Sequence, residues 1–205
     1  MTTVVCFDLD GTLVQFTRPY EEIVADVLEA HLGRSSTALV ETYDEAFFAA
    51  FEAVEPEPYR RAMAAVVEAA DGATADPGEM VATLRDREYE ATDVSVPARG
   101  SLEQLSEGAS LGVVTNGLPE WQAGKLDHHG LADLFDAVVT SYEAGAHKPD
   151  PAPFELARER LPGEEYAMVG DDYEADVEGA RAAGFVPIHY EEDGPDFWKT
   201  LSVML

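Results

Sequence analysis

The sequence reads as an α/β protein that carries an inserted helical unit, on three observations. An apolar run, Val4-Val5-Cys6-Phe7, ends in the acidic turn Asp8-Leu9-Asp10-Gly11-Thr12. From Val94 onward, strand-like and helix-like segments alternate, the pattern of a parallel sheet with helices on both faces. Between the opening run and the next clear strand, Leu111–Thr115, the interval far exceeds the dozen or so residues of an ordinary crossover. A chain of 205 residues is long enough for one sizeable core and a smaller second unit. The expected division is residues 1–15 and 95–205 for the α/β core, and 16–94 for the insertion.

The opening run is bounded by a glycine and reads as a fully buried strand. Asp8 and Asp10 follow it at i, i+2, where Gly11 permits a sharp turn. In open α/β sheets ligands bind just beyond the carboxyl ends of strands. Two carboxylates so close repel each other unless a cation or a shared proton intervenes.

The insertion reads as four amphipathic helices. Pro19 to Leu32 has Thr17 near its start and stops at Gly33, with Ile23, Val24, Val27 and Leu28 along one face. Ser36 to Val54 carries Tyr43, Phe47, Phe48 and Phe51; Pro58 to Ala70 and Pro77 to Tyr89 follow. Such a succession predicts a small bundle, with its aromatic stripe as packing. The α/β part then predicts a helix over Arg99–Leu105, a strand over Leu111–Thr115 and a helix from Pro119 to about His129. A strand over Ala137–Thr140, a helix over Pro151–Arg160 and a strand over Tyr166–Val169 come next. A helix over Glu174–Ala183 and a strand over Phe185–His189 complete a Rossmann-like core.

The net charge of −28 and the presence of only three lysines narrow the choice of partners. A nucleic-acid backbone or an anionic membrane surface is attracted by clustered Lys and Arg, so neither is an expected partner. Carboxylates spread along the whole chain repel one another at low salt. At molar salt the Debye length falls to about 3 Å and that repulsion is screened, which points to a salt-rich cytoplasm. Cys6 is the single cysteine and lies inside the apolar run, so it reads as a core residue. The opening residues lack the basic-then-apolar pattern of a leader, and no run approaches the roughly 18 apolar residues of a membrane span. The expected location is the cytoplasm, and the expected assembly a monomer or homodimer.

Three further strand ends carry polar residues. They are Thr115-Asn116-Gly117, then Lys148-Pro149-Asp150-Pro151 after a short loop, and Gly170-Asp171-Asp172 with Asp176 four residues on. In order, and across almost the whole chain, these and Asp8-Leu9-Asp10-Gly11-Thr12 resemble the four motifs of the haloacid dehalogenase-like hydrolase superfamily. The segment Trp121-Gln122-Ala123-Gly124-Lys125-Leu126 is similar to the subgroup with a helical cap inserted after the first strand.

The resemblance implies a Mg²⁺-dependent phosphatase of small phosphorylated metabolites. It implies Asp8 as nucleophile, and Asp8, Asp171 and the backbone carbonyl of Asp10 as metal ligands. It further implies Asp10 as acid and base, Lys148 as the balancing charge, and Thr115 with Asn116 and nearby N–H groups on the phosphoryl oxygens. Asp176 is expected either to touch metal-bound water or to fix Lys148, whereas Asp172 is expected to point elsewhere. His128, His129 and His147 lack metal-ligand spacing. Gln15, Phe16, Arg18 and Tyr20 follow the nucleophile and are candidate pocket residues, although Arg18 equally suits a surface salt bridge. Alternatives within the family are a 2-haloacid dehalogenase, which has no alkoxide for Asp10 to protonate, and a phosphomutase. A non-catalytic metabolite-binding module is the alternative from another class.

Overall fold

Strand β1 (Thr3–Phe7) is the centre of a five-stranded sheet in the computed structural model, which describes residues 3–191 and 197–204. Val4 and Cys6 face one side of the sheet and Val5 and Phe7 the other, and all four are fully buried. Both faces of β1 are therefore covered, as parallel sheets require.

After β1 the chain enters a second compact unit, Phe16–Thr92; the first unit comprises Met1–Gln15 and Asp93–Leu205. The short strand β2 (Gln15–Phe16) begins this excursion. It is followed by α1 (Tyr20–Leu32), α2 (Thr37–Glu52), α3 (Pro58–Ala69) and α4 (Pro77–Glu90). Each helix boundary has a local cause. Gly33 closes α1 in the left-handed conformation at φ 66°. The Ser36 hydroxyl caps α2 by accepting from the Leu39 N–H at 3.3 Å. The Asp76 carboxylate caps α4 by accepting from the Gly78 N–H at 2.6 Å. Ile23, Val27, Leu28, Met63, Val66, Met80 and Leu84 form the fully buried interior. The aromatic stripe packs as well: Phe47 lies 5.2 Å from Phe51 and 4.8 Å from Tyr59 between ring centroids.

The chain returns through β3 (Thr92–Asp93), paired with β2, and alternates thereafter. The remaining elements are α5 (Val96–Leu105), β4 (Ser110–Thr115), α6 (Pro119–His128), β5 (Ala137–Thr140), α7 (Ser141–Ala144), α8 (Pro151–Arg160) and β6 (Glu165–Gly170). A π-wound turn over Tyr173–Glu178 leads directly into α9 (Gly179–Ala182), then β7 (Val186–His189) and α10 (Phe197–Met204). All pairings in the sheet are parallel, in the order β5-β4-β1-β6-β7.

Phe7 lies in register with Val113 of β4 and Val169 of β6. The Asp8 N–H continues the ladder by donating to the Val169 carbonyl at 2.8 Å. The ends of β1, β4 and β6 therefore open side by side. The expected alternation is present, with differences from the sequence-based spans. The segment expected as one helix over Glu174–Ala183 begins as a π-wound turn. α5 starts at Val96, because Ser95 caps it and Pro97 suits a first turn. α7 and α10 are additional. No helix among the described residues is long and apolar enough to cross a membrane.

Candidate active site

Asp8 stands at the end of β1 with its carboxylate against the Lys148 ammonium, 2.7 Å away. Lys148 reaches this point from the loop after α7. A capping box formed by Thr140 and Glu143 starts that helix, and Gly145 ends it in the left-handed conformation. The side chain of Asn116, just past β4, then clamps the Lys148 backbone. Its Oδ1 accepts from the Lys148 N–H at 2.8 Å and its Nδ2 donates to the Lys148 carbonyl at 3.1 Å. The expected ligand-binding amide of Asn116 is thus engaged at both ends in holding the loop.

The Lys148 ammonium donates three hydrogen bonds: to Asp8 Oδ1 at 2.7 Å, to Asp176 Oδ1 at 2.6 Å and to the Val114 carbonyl at 2.7 Å. All three protons are used, as a buried ammonium requires. Burial works against its charge, but the two carboxylates outweigh it and hold the Lys148 pKa above its ordinary value. Burial pushes the Asp8 carboxyl up to about 7, against the lowering pull of Lys148 and with a further upward push from Asp176. Asp176 is raised for the same reason, burial first.

Asp171 follows β6 and is exposed; its Oδ1 accepts from the Thr12 hydroxyl at 2.7 Å. Gly11 makes that approach possible. Its φ is +88°, and a Cβ there would lie 2.5 Å from an Asp171 carboxylate oxygen. A side chain at Gly170 would likewise collide with the Asp176 carboxyl group. Asp172 caps the π-wound turn, accepting from the Glu174 and Ala175 N–H groups at 2.9 Å each.

Oxygens of Asp8, Asp171 and Asp176 lie within 4.8 Å of one another, an all-oxygen set that suits a hard divalent cation. The side chain of Asp10 belongs to a different arrangement. Its Oδ1 accepts from Lys125 Nζ at 2.6 Å and its Oδ2 from Gln122 Nε2 at 2.9 Å. The metal contact that the resemblance implies for Asp10 is through its backbone carbonyl, not this side chain. Lys125 pairs with Asp10, and Lys148 with Asp8 and Asp176, so acidic side chains outnumber ammonium groups around this cluster.

A cavity of about 220 Å³ lies over this cluster, lined by Asp8, Asp10, Thr115, Asn116, Lys148, Asp171, Asp172, Ala175 and Asp176. Of the residues next in sequence to the nucleophile, Arg18 pairs with Asp26 at 2.7 Å, and the Tyr20 phenol donates to Glu88 at 3.1 Å. The rings of His128 and His129 pack edge to face, and His147 packs on Tyr142.

Sequence reasoning assigned no role to Thr12, Gln122 or Lys125 individually. Gln122 and Lys125 sit at i, i+3, which places both on one face of α6. The scarcity of lysine was the available signal for Lys125.

Comparison with known proteins identifies the family. The family model for haloacid dehalogenase-like hydrolases matches residues 2–184. A phosphoglycolate phosphatase of Cereibacter sphaeroides is 34% identical over 189 residues, covering 88% of this chain and 81% of that protein. A ribulose-1,5-bisphosphate 5-phosphatase of Halopiger xanaduensis is 40% identical over 97 residues, covering 46% of this chain and 41% of the relative. The chain matches less than half the length of several such curated relatives. Among solved structures, a 2-haloacid dehalogenase from Pseudomonas syringae superposes with a TM-score of 0.75 at 25% identity, covering 100% of this chain and 98% of that one. The chain belongs to the haloacid dehalogenase-like hydrolase family.

Proposed function

We propose that this chain hydrolyses small phosphomonoesters with Mg²⁺, through an aspartyl-phosphate on Asp8. One observation carries the choice among the family's reactions: two carboxylates, Asp8 and Asp10, are held by different cations, Lys148 and Lys125. Asp8 is buried against Lys148, whereas the Asp10 side chain is 31% exposed and borders the cavity. A halide leaving group needs no proton, so a dehalogenase has no use for a second carboxyl group so placed. An alkoxide does need one.

Asp8 Oδ attacks phosphorus, and the bond from phosphorus to the leaving oxygen breaks. Asp10 delivers its proton to that oxygen. Asp10 then removes a proton from water as the water oxygen attacks phosphorus. The bond from phosphorus to Asp8 breaks, and both aspartates return to their starting forms. Lys148 spreads positive charge over Asp8 and the phosphoryl oxygens, and Thr115, at the end of β4, offers its hydroxyl. Asp8 and Asp171, with the Asp10 carbonyl, would hold Mg²⁺, and Asp176 completes the acidic surround. Bound there, Mg²⁺ would supply positive charge that offsets the repulsion between the carboxylates and a phosphate dianion.

The test is a panel of phosphomonoesters and 2-halo-acids, assayed in chelator and after Mg²⁺ is restored. Phosphate release that disappears in chelator and returns with Mg²⁺ supports the proposal. Halide release in chelator without phosphate release would replace it with the dehalogenase reaction. The acidic composition is proposed as an adaptation to salt. The melting temperature is therefore expected to rise from low to molar KCl as the carboxylates are screened; a salt-independent value would contradict this.

A further inference from the structure

Asp10 would serve twice, as acid and then as base, and such a group must keep one orientation through both steps. Its carboxylate is gripped at both oxygens from a single helix. Lys125 donates to Oδ1 at 2.6 Å, and Gln122 donates to Oδ2 at 2.9 Å. The same Gln122 amide nitrogen donates its other hydrogen to the Thr115 hydroxyl at 2.8 Å, tying Asp10 to the end of β4.

Neither donor borders the cavity that Asp10 borders, so both act on Asp10 from behind. Lys125 and Gln122 are only 3% and 2% exposed. A buried ammonium is costly unless it faces a carboxylate, so its place in this interior is explained by Asp10. Gly117 makes room for the arrangement, since a Cβ there would lie 2.8 Å from the Gln122 amide carbon. An ordinary surface ion pair would show none of this burial or shared bonding.

We infer that Lys125 and Gln122 are positioning residues that hold Asp10 in its proton-transfer orientation and couple it to Thr115. This rests on the proposed role of Asp10 in phosphomonoester hydrolysis. Removing either grip lets the Asp10 carboxylate rotate, so the reaction suffers in proportion to how much the leaving oxygen needs a proton. An alkyl phosphate needs one, whereas p-nitrophenyl phosphate hardly does. The ratio kcat/KM reports the steps up to departure of the leaving group, while kcat also includes water attack.

The experiment compares Lys125→Met and Gln122→Leu with wild type on an alkyl phosphate and on p-nitrophenyl phosphate, with Mg²⁺ present. Thermal melts establish that each variant is folded. For Lys125→Met, kcat/KM on the alkyl ester is expected to fall about 10²-fold, with a change of about threefold or less for the nitrophenyl ester; Gln122→Leu, which also frees Thr115, is expected to add a loss common to both esters. The kcat is expected to fall for both esters. Lys125→Arg keeps a donor and a charge, and is expected to recover much of the alkyl ester activity. Equal losses in kcat/KM on both esters, or losses unrelieved by Lys125→Arg, would overturn the positioning role. A wild-type protein that hydrolyses neither ester would defeat the phosphatase proposal itself, and this role of Asp10 with it.

Discussion

In the α/β unit the buried Lys148 ammonium touches two carboxylates, whereas in the helical unit the buried Glu88 carboxylate accepts a hydrogen bond from the Tyr20 phenol. That phenol lies 3.4 Å from the fully buried Tyr43 hydroxyl. Both arrangements satisfy polar groups away from water, but they differ in what they make available. In the first, full charges face one another at the mouth of a cavity, where the low local dielectric strengthens every interaction with a ligand. In the second, the phenols remain neutral, because burial raises the pKa of Tyr20 and Tyr43 above the ordinary tyrosine range. The contrast separates a charged cluster bordering a cavity from a network of neutral phenols inside a helical unit.

Removing one charge should reveal that difference most strongly. Lys148→Met would leave Asp8 and Asp176 buried together without their cation, and is expected to cost about 3–5 kcal/mol of stability. Tyr43→Phe removes only one hydroxyl from its network, and is expected to cost about 0.5–1.5 kcal/mol. Chemical denaturation of both variants measures the gap. Equal losses would mean that the two clusters are structurally alike.

A smaller effect is expected at Gly11, where backbone geometry meets the acidic trio. Gly11→Ala places a methyl group against the Asp171 carboxylate at a positive φ, which costs about 1–3 kcal/mol. Titration with Mg²⁺ is expected to show weakened binding, because Asp171 must move. Unchanged affinity would place the cation elsewhere.

A pH-dependent effect is expected on the alkaline side, where the two units should behave alike. Burial pushes the Cys6 thiol up to about 12 from an ordinary value of 9.0. Below pH 9 the thiol is protonated in both folded and unfolded chains, and it contributes no slope. Between pH 9 and 12 the unfolded chain releases the proton and the folded one does not, so stability falls as pH rises. The slope is about 1.4 kcal/mol per pH unit for one such group. The raised phenols of Tyr20 and Tyr43 act in the same direction at higher pH. Replacing Cys6 with Ala should remove one proton from the slope measured in denaturant titrations, and an unchanged slope would contradict the burial of the thiol.

Much of the site was legible because its residues end apolar runs. Asp8 after Phe7, Thr115 after Val114 and Asp171 after Gly170 stand out where a hydrophobic strand gives way to polar side chains. Lys148 was legible through its rarity and its neighbouring prolines. Gln122 and Lys125 were harder to find, because helix periodicity cannot tell a buried donor from one facing solvent. Only the tertiary fold brings them to Asp10. Thr12 was similarly hidden, since its partner Asp171 lies 159 positions away. The helix boundaries of the insertion were readable from Gly33, Pro58 and Pro77, whose local conformational limits do not depend on tertiary context. The π-wound turn was not, because it arises where Asp172 caps a backbone that must also bring Asp176 onto Lys148.

In the proposed reaction Asp8 carries the nucleophilic attack and Asp10 the proton transfer. This division of roles is tested most directly by acid-quenching the protein during turnover of a ³²P-labelled aryl phosphate with a good leaving group, then mapping the label. In Asp10→Asn, phosphorylation should proceed while water activation fails, so label should accumulate on Asp8. In Asp8→Asn no label should be retained. Label on the Asp8→Asn protein, or wild-type turnover with no label trapped even in Asp10→Asn, would contradict the division of roles.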